Sequence, residues 1–494
     1  MNKMSLTVQT TKGILWSGSS QAARQILQIG ITAILARLLT PADFGVLAMV
    51  TVFTSFIALF SELGLGAALV QRKGVTEAHL STAFWMTLLA GAALMILTMA
   101  SSPLVAWFYG RDRLTPIVLV ISVNFLIGAT GAVPQALLQR NMEFGRLALI
   151  ENGALLGSGL VAIFLAWRGW GVWSLVGQSV VSVSLTAGLA WSLSGWRPRW
   201  LFRRSCLREL WGFSSHLLGF NVLHYAARNL DNLLIGKFLG ATALGYYTLA
   251  YRLMMLPLQN VSWVLGRVLF PAFARIQTEL ARVRQNYIRL IRYISLLTFP
   301  MMAGMAVVAP ELIRVLYGNQ WERAIFLVRV LCLVGLLQSV GTTVGTIYLS
   351  QGRSDIMLKW NLFFVPIVCS AILVGLRWDV EGVAMAYATV GIVFWYVPHF
   401  IANRLIDLDA RTFLRALAPA GAAAAIMALL LIIWRWWPGR LLMLEAGTSL
   451  AVQVVLGAGV YAGLLGVAHR GVFGEIAGLF RQMLESRRTR EIVA

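Results

Sequence analysis

Acidic residues are scarce in this sequence, with 20 Asp and Glu against 41 Lys and Arg, and only 12% of all residues are charged. The hydrophobic share of 59% and the mean hydropathy of +0.75 exclude an ordinary soluble globular protein. Three scattered cysteines exclude a disulfide framework and a cysteine metal site. The chain also lacks a Walker A loop and a pair of acids placed for acid–base catalysis. We therefore expect no enzymatic activity, no catalytic residues, no metal and no cofactor.

Long apolar runs are what the sequence has instead. Runs of about twenty or more apolar residues recur from end to end, which predicts an all-α polytopic membrane protein. The formal charge of +21 is concentrated at the ends of these runs, so we interpret it as membrane topology and expect no nucleic-acid partner. About fourteen transmembrane helices are predicted, at residues 13–37, 45–71, 79–107, 114–139, 146–167, 171–194, 208–239, 243–271, 287–316, 323–350, 355–377, 381–403, 412–434 and 443–468.

The distribution of Lys and Arg predicts the orientation. The loops on the side of the N-terminus carry roughly 26 Lys and Arg and the other side roughly 10, so the first side should be cytoplasmic. An even number of helices then places both termini in the cytoplasm, including a basic tail at 471–494. A linker is predicted at 272–286. It overlaps a basic amphipathic stretch at 275–292, which is either a helix on the membrane surface or a solvated connection.

Two halves of the chain repeat each other. The segment Pro103–Gly110 (PLVAWFYG) corresponds to Pro310–Gly318 (PELIRVLYG), and both end at a Tyr-Gly pair. Because each half contains six helices, the copies share one orientation and should be related by a pseudo-two-fold axis along the membrane normal. The predicted domains are an N-lobe at 1–200, a C-lobe at 201–405, two extra helices at 406–470 and the tail at 471–494.

Polar residues form matching stripes on two apolar helices of these halves. The helical spacing places each set on one face, and the sets are Gln21, Arg24, Gln28 and Thr32, and Asn221, His224, Arg228 and Asp231. Further repeated positions are 200 residues apart, with Arg37 and Lys237 as one pair and Gly45 and Gly245 as another. Two such stripes indicate two lobes that face a shared wet cavity.

The arginines of this region are the candidates for binding an anion. A charge near the middle of a bilayer costs a few kcal/mol or more, so we expect Arg24, Arg228 and Arg252 to face a cavity or a partner. Arginine suits a phosphate because its planar fork can bond two oxygens at once. Neutral hydrogen bonds would come from Gln21, Gln28, Asn221 and His224.

Some of these residues have a second interpretation. Arg228 and Asp231 are three residues apart and could form a purely structural pair. His224 could carry a proton or serve only as a polar group. Glu62 and Asp231 are candidate coupling acids, although Glu62 could instead be solvated near the cytoplasmic side.

The repeat joints carry a family resemblance. The segments LLIGKFLGATALGYYTLAYR and ILARLLTPADFGVLAMV, with the FYG and LYG breaks, resemble the multidrug/oligosaccharidyl-lipid/polysaccharide exporter superfamily, and within it the Wzx-type polysaccharide flippases. The resemblance implies two six-helix lobes in the bacterial inner membrane. It also implies a cargo of undecaprenyl-pyrophosphate-linked oligosaccharide, moved between leaflets by alternating access for exopolysaccharide or lipopolysaccharide synthesis. Membrane lipid and the polysaccharide polymerase or export machinery are the partners it implies.

Two other functions stay open on the sequence alone. A multidrug antiporter of the same fold is disfavoured because helices one, seven and eight contain few acids, which cationic drugs would need. A membrane glycosyltransferase or polymerase acting on the same lipid is disfavoured by the short loops and by the six-plus-six repeat.

Overall fold

The computed structural model describes most of the membrane core. The described residues are 21, 23–60, 66, 69, 70, 72, 74–203, 215–262, 273, 275–436 and 445–468, with backbone only at 215–224, 226, 227, 467 and 468. Every regular element within them is a helix. The α-helices are α1 (23–38), α2 (Pro41–Ala58), α3 (Glu77–Tyr109), α4 (Leu114–Arg140), α5 (Phe144–Trp167), α6 (Val172–Ser194), α7 (Ser215–Phe238), α8 (Gly240–Pro257), α9 (Leu280–Leu316), α10 (Ala324–Gly341), α11 (Val344–Ser350), α12 (Ser354–Gly375), α13 (Asp379–Phe394), α14 (Tyr396–Leu405), α15 (Ala410–Trp436) and α16 (Ala446–Ala468).

Ten segments of the described chain are long and apolar enough to cross a membrane. They cover eleven of the fourteen predicted helices, because one segment, Ser354–Leu405, contains two of them. Those two are separated by a short 3-10 turn, and their backbones touch where Gly375 meets Gly382. The other three predicted helices, 13–37, 208–239 and 243–271, include residues outside the described ones. The all-helical multi-pass architecture is confirmed, and the number fourteen stays a prediction.

The chain divides into two compact units, Met1–Thr248 and Leu249–Ala494. In the first unit α1 packs on α5 and α6 through a cluster that includes Ile31, Leu35 and Ala162. Helix α2 begins where the sequence LLTPAD provides both a proline for the first turn and a cap. The Thr40 backbone N–H donates to an Asp43 carboxylate oxygen at 2.9 Å, and Thr40 caps the helix in return. This start directs α2 against α7.

Both Tyr-Gly breaks of the repeat end a helix. In the first unit α3 ends at Tyr109, and Gly110 adopts a left-handed conformation with φ of 65°. In the second unit α9 ends just before Tyr317, and Gly318 has φ of 91°. Glycine reaches positive φ without a steric penalty, so the same dipeptide terminates both helices. Both motifs therefore place a glycine with positive φ just after a helix, although ψ differs, at 36° for Gly110 and 171° for Gly318.

Helix α9 is longer than the sequence indicated. It is continuous over 37 residues from Leu280, whereas we expected a linker over 272–286 followed by a helix from 287. The reason is an apolar stripe at helical spacing, in which Val283, Tyr287, Leu290 and Ile294 are all buried in the core of the second unit. From residue 280 the predicted amphipathic stretch is the first part of α9, packed on the core of the unit, so the prediction of a linker was wrong there, and residues 276–279 are not helical.

The second unit also holds α15 and α16, the two helices predicted to lie outside the repeat. Tyr461 of α16 donates a hydrogen bond to the carbonyl of Leu296 in α9 at 2.9 Å. On α15, Phe413 and Met427 are buried in the same core as α9. These helices are therefore packed directly onto the longest helix of the unit.

Candidate functional site

The predicted stripe on α1 runs from an open end to a packed end. Gln21 and Arg24 are exposed, Gln28 is half-buried and Thr32 is buried. The far end is packed because the Ile31 side chain lies against Gly159 of α5, where a Cβ would leave no room for it. The polar groups that remain available to a ligand or to water are therefore those nearest Arg24.

Arg24 forms an ion pair with an acid that the sequence analysis did not identify. Its Nη1 lies 2.7 Å from Oε2 of Glu151 on α5, and the two side chains are 46% and 49% exposed. Glu151 is the single charged residue in the apolar segment 147–167, so the cost of a lone charge in a membrane helix could have marked it as functional. The sequence could not give its partner, 127 residues away. A pair this open is worth about 0–1 kcal/mol, so another anion could displace the carboxylate.

The predicted stripe on α7 combines open and buried positions. Asn221 and His224 lie on this helix, but their side chains are outside the described residues. Arg228 is exposed. One turn later Asp231 is buried, and Arg228 interacts electrostatically with its carboxylate.

The buried carboxylate of Asp231 is held by two donors. The Tyr247 hydroxyl of α8 donates to Oδ2 at 2.8 Å, and the backbone N–H of Asn232 donates to Oδ1 at 2.8 Å. Such hydrogen bonds are what allow an acid to be buried. Tyr247 is a further residue that the sequence analysis missed, because nothing in its surroundings of small and aromatic residues points to an acid sixteen positions earlier. Asp231 thus joins α7 to α8.

Helices α2 and α8 touch through their backbones. A Cβ added at Gly45 would lie 1.7 Å from the carbonyl oxygen of Ala241, and one added at Gly245 would lie 1.9 Å from that of Pro41. The two contacts are reciprocal: position 41 meets 245, and 45 meets 241, with the paired positions 200 residues apart. The Gly45–Gly245 correspondence read from the sequence is thus a direct helix crossing.

Lys237 belongs to the first unit and Arg252 to the second. Lys237, at the end of α7, donates to the carbonyl of Phe108 and lies 4.9 Å from the centre of its ring, next to the first Tyr-Gly break. In the second unit Arg252 is exposed on α8 and interacts electrostatically with Tyr317 at the other break. Beyond Arg252, Pro257 ends the α-helical geometry and a π-helical turn follows at Leu258–Ser262.

Two features predicted from the sequence lie outside the described residues. Glu62 and the tail at 471–494 are not among the described residues. Within the described part of the chain, no three His, Cys, Asp or Glu side chains are grouped to hold a metal ion. The predicted binding set therefore rests on Gln21, Arg24, Gln28, Arg228, Asp231 and Arg252, with Asn221 and His224 placed by backbone alone.

Comparison with known proteins gives one family. Residues 34–326, more than half of the chain, match the family described as "Polysaccharide biosynthesis protein". The chain is 28% identical over 470 residues to the teichuronic acid biosynthesis protein TuaB of Bacillus subtilis (strain 168), covering 93% of this chain and 96% of TuaB. It is 27% identical over 407 residues to the lipopolysaccharide biosynthesis protein WzxC of Escherichia coli (strain K12), covering 81% of this chain and 82% of WzxC.

Solved structures give the fold. The lipid II flippase MurJ in an inward closed conformation matches with a TM-score of 0.72 at 15% identity, over 93% of this chain and 100% of MurJ. An inward-facing multidrug resistance MATE family transporter of the MOP superfamily matches with a TM-score of 0.62 at 14% identity, over 78% of this chain and 96% of that protein. The chain therefore belongs to the polysaccharide biosynthesis protein family, and it is a multi-pass helical membrane protein with the fold of these two structures.

Proposed function

We propose that this protein is a flippase for undecaprenyl-pyrophosphate-linked oligosaccharides in the bacterial inner membrane. In this proposal fourteen helices form two six-helix lobes plus two extra helices, with both termini in the cytoplasm. The repeats at 1–200 and 201–405 alternate access to the lipid-linked sugar for exopolysaccharide or lipopolysaccharide synthesis. Membrane lipid and the polymerase or export machinery are its proposed partners.

The observation that carries the proposal is the half-open ion pair of Arg24. An arginine in an apolar helix needs an anion, and here Glu151 supplies one in an exposed geometry, 2.7 Å away. A pyrophosphate offers more charge and two oxygens to the guanidinium fork, so it would compete well against a single carboxylate. Glu151 then acts as an internal substitute that neutralises Arg24 when no lipid is bound. Exchange between the two anions gives both capture and release.

The other predicted residues have supporting positions in this scheme. Arg228 and Arg252 are exposed and would bind the same diphosphate, which every lipid carrier presents whatever its sugar. Gln21 and Gln28, with Asn221 and His224 on α7, would add neutral hydrogen bonds. Asp231 is the candidate coupling acid that the structure describes, and Glu62 is the second candidate.

Symmetry between the lobes is supported by the glycine crossing. Gly45 packs against the helix of Gly245, and Gly245 packs against the helix of Gly45. The two glycines are 200 residues apart in the sequence, the same separation as between the polar stripes. The family relatives named for teichuronic acid and lipopolysaccharide biosynthesis support an anionic, lipid-linked cargo. A MATE-like antiporter of cationic drugs is the alternative, and it is disfavoured because the described acid of α7 is buried against Tyr247.

A charge reversal separates binding by Arg24 from a structural role. In cells that depend on this chain for polysaccharide export, Arg24→Ala should weaken capture about tenfold or more, since charge-assisted hydrogen bonds contribute about 1.5–3 kcal/mol each. Arg24→Lys keeps the charge without the fork and should restore export only in part. Glu151→Gln should leave capture intact. The double variant Arg24→Glu with Glu151→Arg keeps the ion pair but moves the positive charge to α5, and it should not restore export.

The matched control is the exposed pair of Glu279 and Arg282, whose side chains lie 2.9 Å apart. Reversing this pair should leave export unchanged. Membrane abundance is measured for every variant. Normal export by the reversed Arg24 pair, at normal abundance, would mean that the pair only holds α1 to α5.

A further inference from the structure

A cavity of about 790 Å³ opens in the second unit where the ends of four helices meet. The helices are α9, α10, α15 and α16, so the two helices outside the repeat contribute half of the wall. The charged lining residues are Glu311, Arg314, Arg329 and Arg435. By the count of Lys and Arg in the loops, this end of the helices is predicted to face away from the cytoplasm. None of these residues belongs to the anion site proposed above.

The arginines of this cavity are only partly neutralised. Arg314 pairs with Glu322, and Arg435 lies 3.5 Å from Oε1 of Glu311. Arg329 makes neither an ion pair nor a hydrogen bond with any residue that the structure describes. It is attracted to Glu311 and repelled by Arg435 across the cavity. An open arginine between these groups is a ready site for an anion.

Glu311 adds the opposite requirement. Its side chain is only 13% exposed, and Oε2 is buried without a hydrogen-bond partner among the described residues. A buried carboxylate oxygen without a donor is costly and usually marks an absent partner. The cavity therefore needs both an anion for Arg329 and an N–H or O–H donor for Glu311.

The surface beside the cavity is apolar. Trp434 lies on the wall, and Trp436 is exposed at the end of the same helix. Tryptophan at helix ends is typical of the membrane–water interface. Leu429, Ile432 and Ile433 continue down α15 as exposed apolar side chains, the kind of surface that acyl chains cover.

From this arrangement we propose that the cavity is a binding site for a phospholipid headgroup, in which Arg329 holds the phosphate and Glu311 accepts from the ammonium or hydroxyl of the alcohol. An ammonium with N–H donors fits Glu311 best, because the hydrogen bonds are then charge-assisted. Phosphatidylethanolamine should bind most tightly and phosphatidylglycerol next. Phosphatidylcholine should bind weakly, since its quaternary ammonium has no donor. The site is independent of the flippase proposal.

Native mass spectrometry of the purified full chain with defined lipids tests the site. The wild-type chain should bind dioleoyl phosphatidylethanolamine about tenfold more tightly than the choline lipid. Arg329→Gln should weaken phosphatidylethanolamine binding about tenfold. Glu311→Gln should reduce ethanolamine binding to the choline level. Inorganic phosphate at millimolar concentration should not displace the lipid, because it lacks the acyl chains.

The matched control is Arg323→Gln, which removes an arginine from the same end of α10. Arg323 lies outside the cavity lining and pairs with Asp379 at 3.4 Å, so its loss should not change lipid binding. Equal lipid binding by the Arg329 and Arg323 variants would overturn the proposal. So would a wild-type chain that does not distinguish ethanolamine from choline, a result that needs no variant to fold. Displacement by inorganic phosphate would instead make the site one for a free anion and would also overturn it.

Discussion

Tyr247 stabilises the buried carboxylate of Asp231 through one hydrogen bond, which its hydroxyl group donates. Tyr247→Phe removes the donor but keeps the ring in place. The buried carboxylate oxygen would then lack a partner, which costs about 1–3 kcal/mol of folding stability. We expect a lower midpoint of thermal unfolding for the purified chain in detergent.

Tyr396→Phe is the matched control for this change. The Tyr396 hydroxyl is buried without a hydrogen-bond partner among the residues described, so its removal should leave the midpoint unchanged or raise it. Equal midpoints for Tyr247→Phe and the wild-type chain would show that the hydrogen bond to Asp231 contributes nothing to stability.

At the residue scale the sequence indicated which charges are unusual but not what they contact. Arg24 and Asp231 were identified because a charge in an apolar helix is costly. Their partners, Glu151 and Tyr247, lie 127 and 16 residues away and depend on which helices pack together. Helical spacing predicts one face of a helix, and the neighbour of that face is decided by tertiary packing.

At the scale of helices, the crossing of α2 and α8 is the contact most sensitive to volume. A methyl group at Gly45 would meet the Ala241 carbonyl oxygen at 1.7 Å, so Gly45→Ala must push the two backbones apart. Overpacking of this kind costs about 1–3 kcal/mol, or more where only backbone atoms can move. We expect a lower unfolding midpoint and reduced polysaccharide export.

Gly459→Ala on α16 is the matched control, because no atom lies within 4 Å of the added Cβ. In the middle of a helix alanine is favoured over glycine by about 0.5–1 kcal/mol, so this variant should be as stable as the wild-type chain or more so. If Gly45→Ala matched Gly459→Ala in both stability and export, the close crossing would not matter to the transporter.

Helix ends with a chemical cause were predictable and those set by packing were not. Pro41 after Thr40, and the two Tyr-Gly breaks, mark boundaries in the sequence because each acts on its own backbone. No proline or side-chain cap marks the start of α9 at Leu280, and the polar residues around it predicted a linker. Burial of Val283 and Tyr287 in the core extends the helix instead.

At the scale of the whole molecule, composition and repeated motifs were sufficient for the architecture class and the family. Long apolar segments predicted the all-helical membrane protein, and the repeat motifs predicted a polysaccharide family, in agreement with the polysaccharide biosynthesis protein family that residues 34–326 match. The cargo is less accessible from sequence, because one guanidinium fork binds any phosphate or carboxylate.

Flipping itself is the central claim, and reconstitution measures it directly. The purified chain is placed in vesicles that contain undecaprenyl-pyrophosphate linked to a fluorescently labelled sugar. A membrane-impermeant quencher is added outside, and the decrease in fluorescence is followed with time. The wild-type chain should make the inner-leaflet label accessible much faster than protein-free vesicles do. Arg24→Ala should be about tenfold slower at limiting lipid. Wild-type vesicles that flip no faster than protein-free ones, while exporting a cationic dye against a proton or sodium gradient, would contradict the account.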